Sequence, residues 1–289
     1  MDVAARIESA LTQAVGSAGQ AGCPPRLAAA MRAAVFPKGA RVRPRLCHAV
    51  ASACGDDEPD ATAAAGAAIE LLHCASLVHD DLPCFDDAAI RRGRPSVHAA
   101  FGEPLAVLAG DALIVLAFQT LARAACSPRR MTQLTATVGA AVGVPHGIVA
   151  GQAWECENEI DLSHYHRSKT GALFAAATIC GAAAAGADNP EAWRSLGEKI
   201  GEAYQVADDI RDAASDEEEA GKPVGKDAAL GRPSAVIRYG LTGAISYLHE
   251  LVADGIRTMP ACANAHELKL LMEQEAKRLV PKRLAQFAA

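Results

Sequence analysis

The chain has 289 residues, of which 51% are hydrophobic and 4% aromatic, with nine cysteines and a formal net charge of −6. That length and apolar content suffice for a sizeable core, while the acidic balance gives no basic footprint for nucleic acid. An odd cysteine count without a CxxC pair argues against a disulfide framework or zinc site and points to reduced thiols in a cytoplasmic protein.

The opening MDVAARIESALTQAV is charged early and amphipathic, unlike a signal peptide. Residues 1–35 are predicted to form one or two helices, interrupted at Cys23, Pro24 and Pro25. FPKGARVRPRL, residues 36–46, then packs Lys38, Arg41, Arg43 and Arg45 around Gly39 and Pro44, which reads either as a basic helix start or as an anion site. The acidic GDDEPD at 55–60 reads as a solvated turn and helix cap. Alanine-rich runs at 61–68 and 182–185 favour helix, and no period-2 strands joined by hairpin turns are evident. The chain is therefore read as all-α.

The stretch from Glu70 to His98 carries the strongest chemical signal. A helix is predicted over 62–81, and at 100° per residue Ile69, His73, Ser76 and Asp80 fall on one stripe. Pro83 ends it, and Asp86 and Asp87 follow Asp80 and Asp81 on the next segment. Carboxylates at a helix C-terminus face the negative end of the helix dipole, a poor structural choice. Hard oxygen ligands of this kind suit Mg²⁺, which takes one or two carboxylates together with substrate phosphate oxygens.

Beyond it, residues 103–118 read as a buried helix in which Gly110 lets another helix or a ligand come close. Residues 127–130 form a polar break, and 131–155 a largely uncharged segment interrupted by Pro145 and His146 and closed by GQAWE. Lys169 and Thr170 stand together near a helix start or bend, where an ammonium and a hydroxyl can hold a phosphate. The uncharged run 170–187 is mostly Ala and Gly and reads as a buried helix, so no transmembrane segment is expected. On a helix over 201–212, Leu196, Ile200, Ala203, Ala207 and Ile210 make an apolar stripe, while Gln205, Asp208, Asp209 and Asp212 share the opposite arc. A basic, glycine-rich loop follows at 221–232. Two carboxylate groups facing each other across a cavity could hold Mg²⁺ ions that grip a diphosphate, with Lys and Arg on the remaining oxygens.

In combination and order, the DDxxxxD of Asp80, Asp81 and Asp86, the RRGRP of 91–95, the KTG of 169–171 and the QVADDIRD of 205–212 resemble the trans-isoprenyl diphosphate synthases. The likeness runs from about Phe36 to about Ser234 and is strongest to short-chain bacterial enzymes that make geranylgeranyl diphosphate for carotenoids and related pigments. It implies one isoprenyl diphosphate synthase domain over 1–289, with the isoprenoid synthase fold, helices around a deep central cavity, as a homodimer. It also implies head-to-tail condensation of isopentenyl diphosphate with allylic diphosphates, dependent on about three Mg²⁺ ions per active site. By position, Asp80, Asp86 and Asp208 would hold metal with Asp81, Asp209 and Asp212 nearby. Arg91, Lys169, Thr170, Gln205, Lys222 and Arg232 would serve the allylic diphosphate, and Arg41, His73 and Arg92 isopentenyl diphosphate.

There are departures. KGARVRP replaces the family's GGKRLRP, so Ala40 stands where a lysine is expected and Lys38 or Arg43 is expected to compensate; Arg232 replaces a lysine, and Ala88 and Ala89 stand where relatives often carry more acid. None removes a metal ligand. Ser76 lies roughly 6 Å and Leu72 roughly 12 Å below Asp80 along the helix. Because Ala75 and Ser76 are small, a growing tail should pass them, so a C20 product is expected, with a C15 farnesyl product as the alternative. Terpene cyclases and head-to-head synthases share the aspartate motifs, but RRGRP, KTG, Arg41 and His73 favour condensation. A non-catalytic partner subunit would be expected to lack one aspartate motif, and both are present.

Overall fold

A computed structural model describes residues 2–36, 39–159, 164–165, 167–214 and 234–279. The N-terminal third is four helices, α1 (Val3–Ala18), α2 (Pro25–Val35), α3 (Val42–Cys54) and α4 (Pro59–Asp80). The break at 23–25 falls as expected, because Pro25 occupies the first position of α2, where a missing N–H costs nothing. Pro59 likewise starts α4, whose middle is alanine-rich and whose Ile69, Leu71 and Leu72 are wholly buried. Each such side chain contributes about 1.5–3 kcal/mol. The acidic 55–60 segment is tied down more than a solvated turn would be. Asp57 pairs with Arg130, Asp56 accepts the Thr62 hydroxyl at 2.5 Å, and no side chain caps α4.

After α4 the chain makes the one departure from all-helix among the described residues, a hairpin of β1 (Ile90–Arg91) and β2 (Arg94–Pro95). Its two central residues, Arg92 (φ 52°) and Gly93 (φ 72°), both have positive φ, the turn geometry that matches strand twist. Two residues per strand are too few to leave an alternating pattern, which is why the sequence shows none. Helices α5 (Val97–Phe101), α6 (Glu103–Ala122), α7 (Pro128–Val142) and α8 (Ile148–Ala153) follow. A 3₁₀ turn (Trp154–Cys156) and a wide π turn (Arg167–Gly171) lead into α9 (Ala172–Ala184). The described residues end with α10 (Arg194–Ala214), α11 (Ala235–Arg257) and α12 (Ala265–Leu279).

α9 is the centre of the bundle, buried from Leu173 to Ala184 and packed against α3, α4, α7 and α10. α10 lays the expected stripe of Leu196, Ile200, Ala203, Ala207 and Ile210 inward, every member buried. The helix over 103–118 corrects its expectation of full burial. Its inner face, from Ala106 to Leu121, packs on α4 and α2, but Val107, Leu108 and Val115 are exposed. A helix apolar on every side buries only as many faces as it has neighbours. By length and composition α4 and α6 are both apolar enough to cross a membrane, yet α4 is 78% buried within the protein over its apolar window and α6 only 39%. Gly110 of α6 brings a helix close rather than a ligand: a Cβ there would lie 2.0 Å from His79 Nε2 of α4, so the His79 ring would have to shift.

Candidate active site

The end of α4 builds the first half of the site. Its last carbonyls lack helical partners, and the following loop folds back to supply them: Asp86 N–H donates to Asp80 O at 3.0 Å and Ala88 N–H to Asp81 O at 3.1 Å. That turn brings Asp86 beside Asp80. Asp81 points inward, its side chain 4% exposed, and takes Arg91 Nε at 2.8 Å and Nη2 at 2.5 Å. Burial pushes the Asp81 carboxyl above the ordinary carboxylate range despite that arginine. Arg91 also lies 3.5 Å from Asp80 Oδ2. Asp87 stands off to the side, 3.9 Å from His98.

The π turn ahead of α9 forms the bridge. Such turns interrupt the regular ladder and recur at functional sites. Lys169 Nζ lies 3.4 Å from Asp80 Oδ1, while the next residue's hydroxyl, Thr170 Oγ1, donates to Gln205 Oε1 at 3.1 Å. Gln205 in turn donates to Asp209 Oδ1 at 3.2 Å, and Asp209 Oδ2 accepts the N–H of Ala235, at the start of α11, at 2.7 Å. One dipeptide thus joins the two aspartate patches. Asp208, exposed, pairs with Arg211 one turn on.

Behind α4 lies a set of cations. His73 shares the Asp80 stripe, and burial holds its imidazole well below the usual histidine value, with Arg43, Arg92, Arg91 and Arg41 pressing it down further. Arg43 stacks 4.4 Å from the centre of the Phe174 ring, and its Nε is buried without a hydrogen-bond partner among the described residues. The Arg92 guanidinium sits so close to Gly39 that a Cβ there would be 2.8 Å from it. Arg41 is differently placed. It is 6% exposed and its guanidinium donates to Glu8 at 2.9 Å, Glu70 at 2.8 Å and Val35 O at 2.8 Å. Those bonds outweigh its burial and raise its pKa.

Of the residues expected in the site, Asp80, Asp81, Asp86, Arg91 and Lys169 are brought together, and Thr170, Gln205 and Asp209 are linked to them. Lys38, Lys222 and Arg232 lie outside the described residues, as does the rest of the 221–232 loop. Ala75 and Leu72 are buried on α4 and Ser76 is half-buried, its hydroxyl donating to His73 O. Glu155, which the sequence reading gave no role, takes the ammonium of Lys169 at 2.5 Å.

Among the described residues no three carboxylate, histidine or cysteine side chains form a ready-made metal cage. A sequence profile for polyprenyl synthetase matches residues 24–266. The chain belongs to the polyprenyl synthetase family. Among curated members of that family, it is 52% identical over 281 residues, 97% of each chain, to a geranylgeranyl diphosphate synthase of Cereibacter sphaeroides. It is 38% identical to a chloroplastic geranylgeranyl pyrophosphate synthase of Arabidopsis thaliana, across 85% of this chain and 74% of the other. Two solved structures share the isoprenoid synthase fold. A geranylgeranyl pyrophosphate synthetase of Pyrococcus horikoshii superposes with a TM-score of 0.80 at 26% identity, over 96% of both chains. A geranyltransferase of Helicobacter pylori complexed with magnesium and isoprenyl diphosphate superposes with a TM-score of 0.77 at 30% identity, over 96% of this chain and 97% of the other.

Proposed function

We propose that this polyprenyl synthetase is a head-to-tail prenyltransferase that condenses isopentenyl diphosphate with allylic diphosphates and ends at geranylgeranyl diphosphate. The observation that carries the reading is the Lys169–Thr170 bridge, which ties Asp80 of one patch to Gln205 and Asp209 of the other. Asp80, Asp86, Asp208 and Asp212 would hold Mg²⁺, an oxygen-only donor set that fits this ion; the Helicobacter pylori relative carries magnesium with its isoprenyl diphosphate. When bound, the metal stabilises charge on the departing diphosphate. Asp81 and Asp209 support these ligands, Asp81 by holding Arg91 and Asp209 by holding the N–H of Ala235.

The protein's own groups do the rest. Arg91, Lys169 and Thr170 orient the allylic diphosphate, so that the C–O bond breaks and its electron pair leaves with the diphosphate. His73, Arg92 and Arg43 cradle the diphosphate of isopentenyl diphosphate, whose double bond attacks the allylic carbon before a proton passes to the released diphosphate. Arg43 takes this role in place of Arg41, because Arg41 spends its bonds on Glu8, Glu70 and Val35 while Arg43 keeps a buried donor without a partner among the described residues. Unpaired buried donors carry a cost that an incoming anion removes. The small Ala75 and Ser76 below Asp80 leave room for a C20 tail, and the relatives named for that product support it. The exposed Val107, Leu108 and Val115 of α6 support a homodimer, and nine unpaired thiols suit the cytoplasm.

Incubation of the purified protein with Mg²⁺, isopentenyl diphosphate and, separately, C5, C10 and C15 allylic diphosphates tests this. A C20 alcohol after dephosphorylation is expected; a C15 stop would move the cavity floor up towards Ala75. No condensation with any primer would overturn the reading.

A further inference from the structure

Glu155 lies in the 3₁₀ turn after α8, outside both aspartate patches. Its side chain, 16% exposed, is fixed from two sides: Tyr165 donates its hydroxyl to Oε1 at 2.6 Å and Gln152 donates Nε2 to Oε2 at 3.0 Å. The same Oε1 takes Lys169 Nζ at 2.5 Å, nearer than Asp80 Oδ1 at 3.4 Å. The ammonium also lies 5.7 Å from the centre of the Tyr165 ring. Lys169 therefore stands between two carboxylates from different elements and is drawn towards the one that is not in an aspartate patch.

A lysine on a four-carbon stem next to a lone carboxylate would close onto it and occupy the oxygen a cation needs. With a second carboxylate behind it, the ammonium is pulled back and held. We propose that Glu155 is a positioning residue that shares Lys169 with Asp80 and so loosens the ammonium's hold on that aspartate, leaving Asp80 open to Mg²⁺ and the ammonium aimed at the allylic diphosphate. The inference rests on the prenyltransferase reading for the identity of the substrate, but the geometry concerns Lys169 and Asp80 alone.

The variant E155Q keeps the shape and removes the charge, so Lys169 should settle on Asp80. Mn²⁺ binding followed by electron paramagnetic resonance should weaken by about tenfold, as supporting residues around metal ligands typically cost when altered. In steady state the KM for the allylic diphosphate should rise and kcat fall, while the KM for isopentenyl diphosphate stays within about twofold of wild type. E155D, which restores the charge on a shorter arm, should recover part of the Mn²⁺ affinity. A general loss of folding would instead lower the apparent kcat with both KM values unchanged and leave E155D no better than E155Q. Unchanged Mn²⁺ affinity in E155Q, or equal rises in both KM values, would overturn the proposal. If wild type failed to condense any substrate, the functional reading would fall, and the Mn²⁺ comparison would still decide the place of Glu155.

Discussion

The two aspartate patches neutralise their charge in different ways. At the end of α4, Asp81 is buried and answered by Arg91 from the hairpin ten residues on, and Asp80 is approached by Lys169 from another element altogether. On α10, Asp208 is exposed and paired with Arg211 on its own helix, while Asp209 is spent on Gln205 and a backbone N–H. The first patch is assembled by tertiary structure, whereas in the second Asp208 is answered within its own helix and Asp209 reaches across to α11. Damage to the first should therefore reach the fold, and damage to the second should depend on which aspartate is touched.

The sharpest break is R91A. It leaves the Asp81 carboxylate buried without its partner, a fault that costs about 3–5 kcal/mol for a fully buried pair. Arg91 itself is 31% exposed, so about 3 kcal/mol is expected here, read as the change in denaturant midpoint. Asp81 already has a raised pKa in the folded protein, and losing Arg91 raises it further. A folded carboxyl that holds its proton more tightly than the unfolded one contributes its stability at low pH and loses it as pH rises through the folded value. The deficit of R91A should therefore be full at neutral pH and shrink as pH falls towards the unfolded carboxylate range. A deficit that grew in acid would show that Asp81 is not its source.

Within the second patch, D209A and D208A should separate. D209A orphans the N–H that opens α11 and the amide of Gln205, at about 1–3 kcal/mol. For a chain of this size that lowers Tm by about 2–4 °C per kcal/mol. D208A should lose activity with Tm in place, since its carboxylate is exposed and, among the described residues, pairs with a neighbour on the same helix. Equal Tm losses in the two variants would remove the distinction between them.

Much of this site was legible because it is written in local pattern. Pro59 and Pro83 bound α4, the 3.6 period puts His73 and Asp80 on one stripe, and the apolar stripe of α10 turns Gln205 and its aspartates the other way. What was not legible needs partners distant in sequence. Arg41 sits in a basic motif and reads as an anion ligand, but Glu8 and Glu70, 33 and 29 residues away, claim it. Glu155 carries no signal of its own until the π turn delivers Lys169 to it. The exposed face of α6 was missed for a related reason: a uniformly apolar helix does not encode which side will lack a neighbour.

The smallest effect makes the closing test of the contrast. Arg211 and Asp208 are both about half exposed, 47% and 54%, and three residues apart on one helix. Pairs of that kind contribute about 0–0.5 kcal/mol because water and salt screen them and two long side chains must be held still. R211A should therefore leave the denaturant midpoint unmoved, against the large shift of R91A, although both variants remove one arginine from one aspartate. A loss in R211A approaching that of R91A would mean that Asp208 is also held by tertiary contacts. The difference between the patches would then be one of exposure alone, and the local origin of charge balance on α10 would have to be given up.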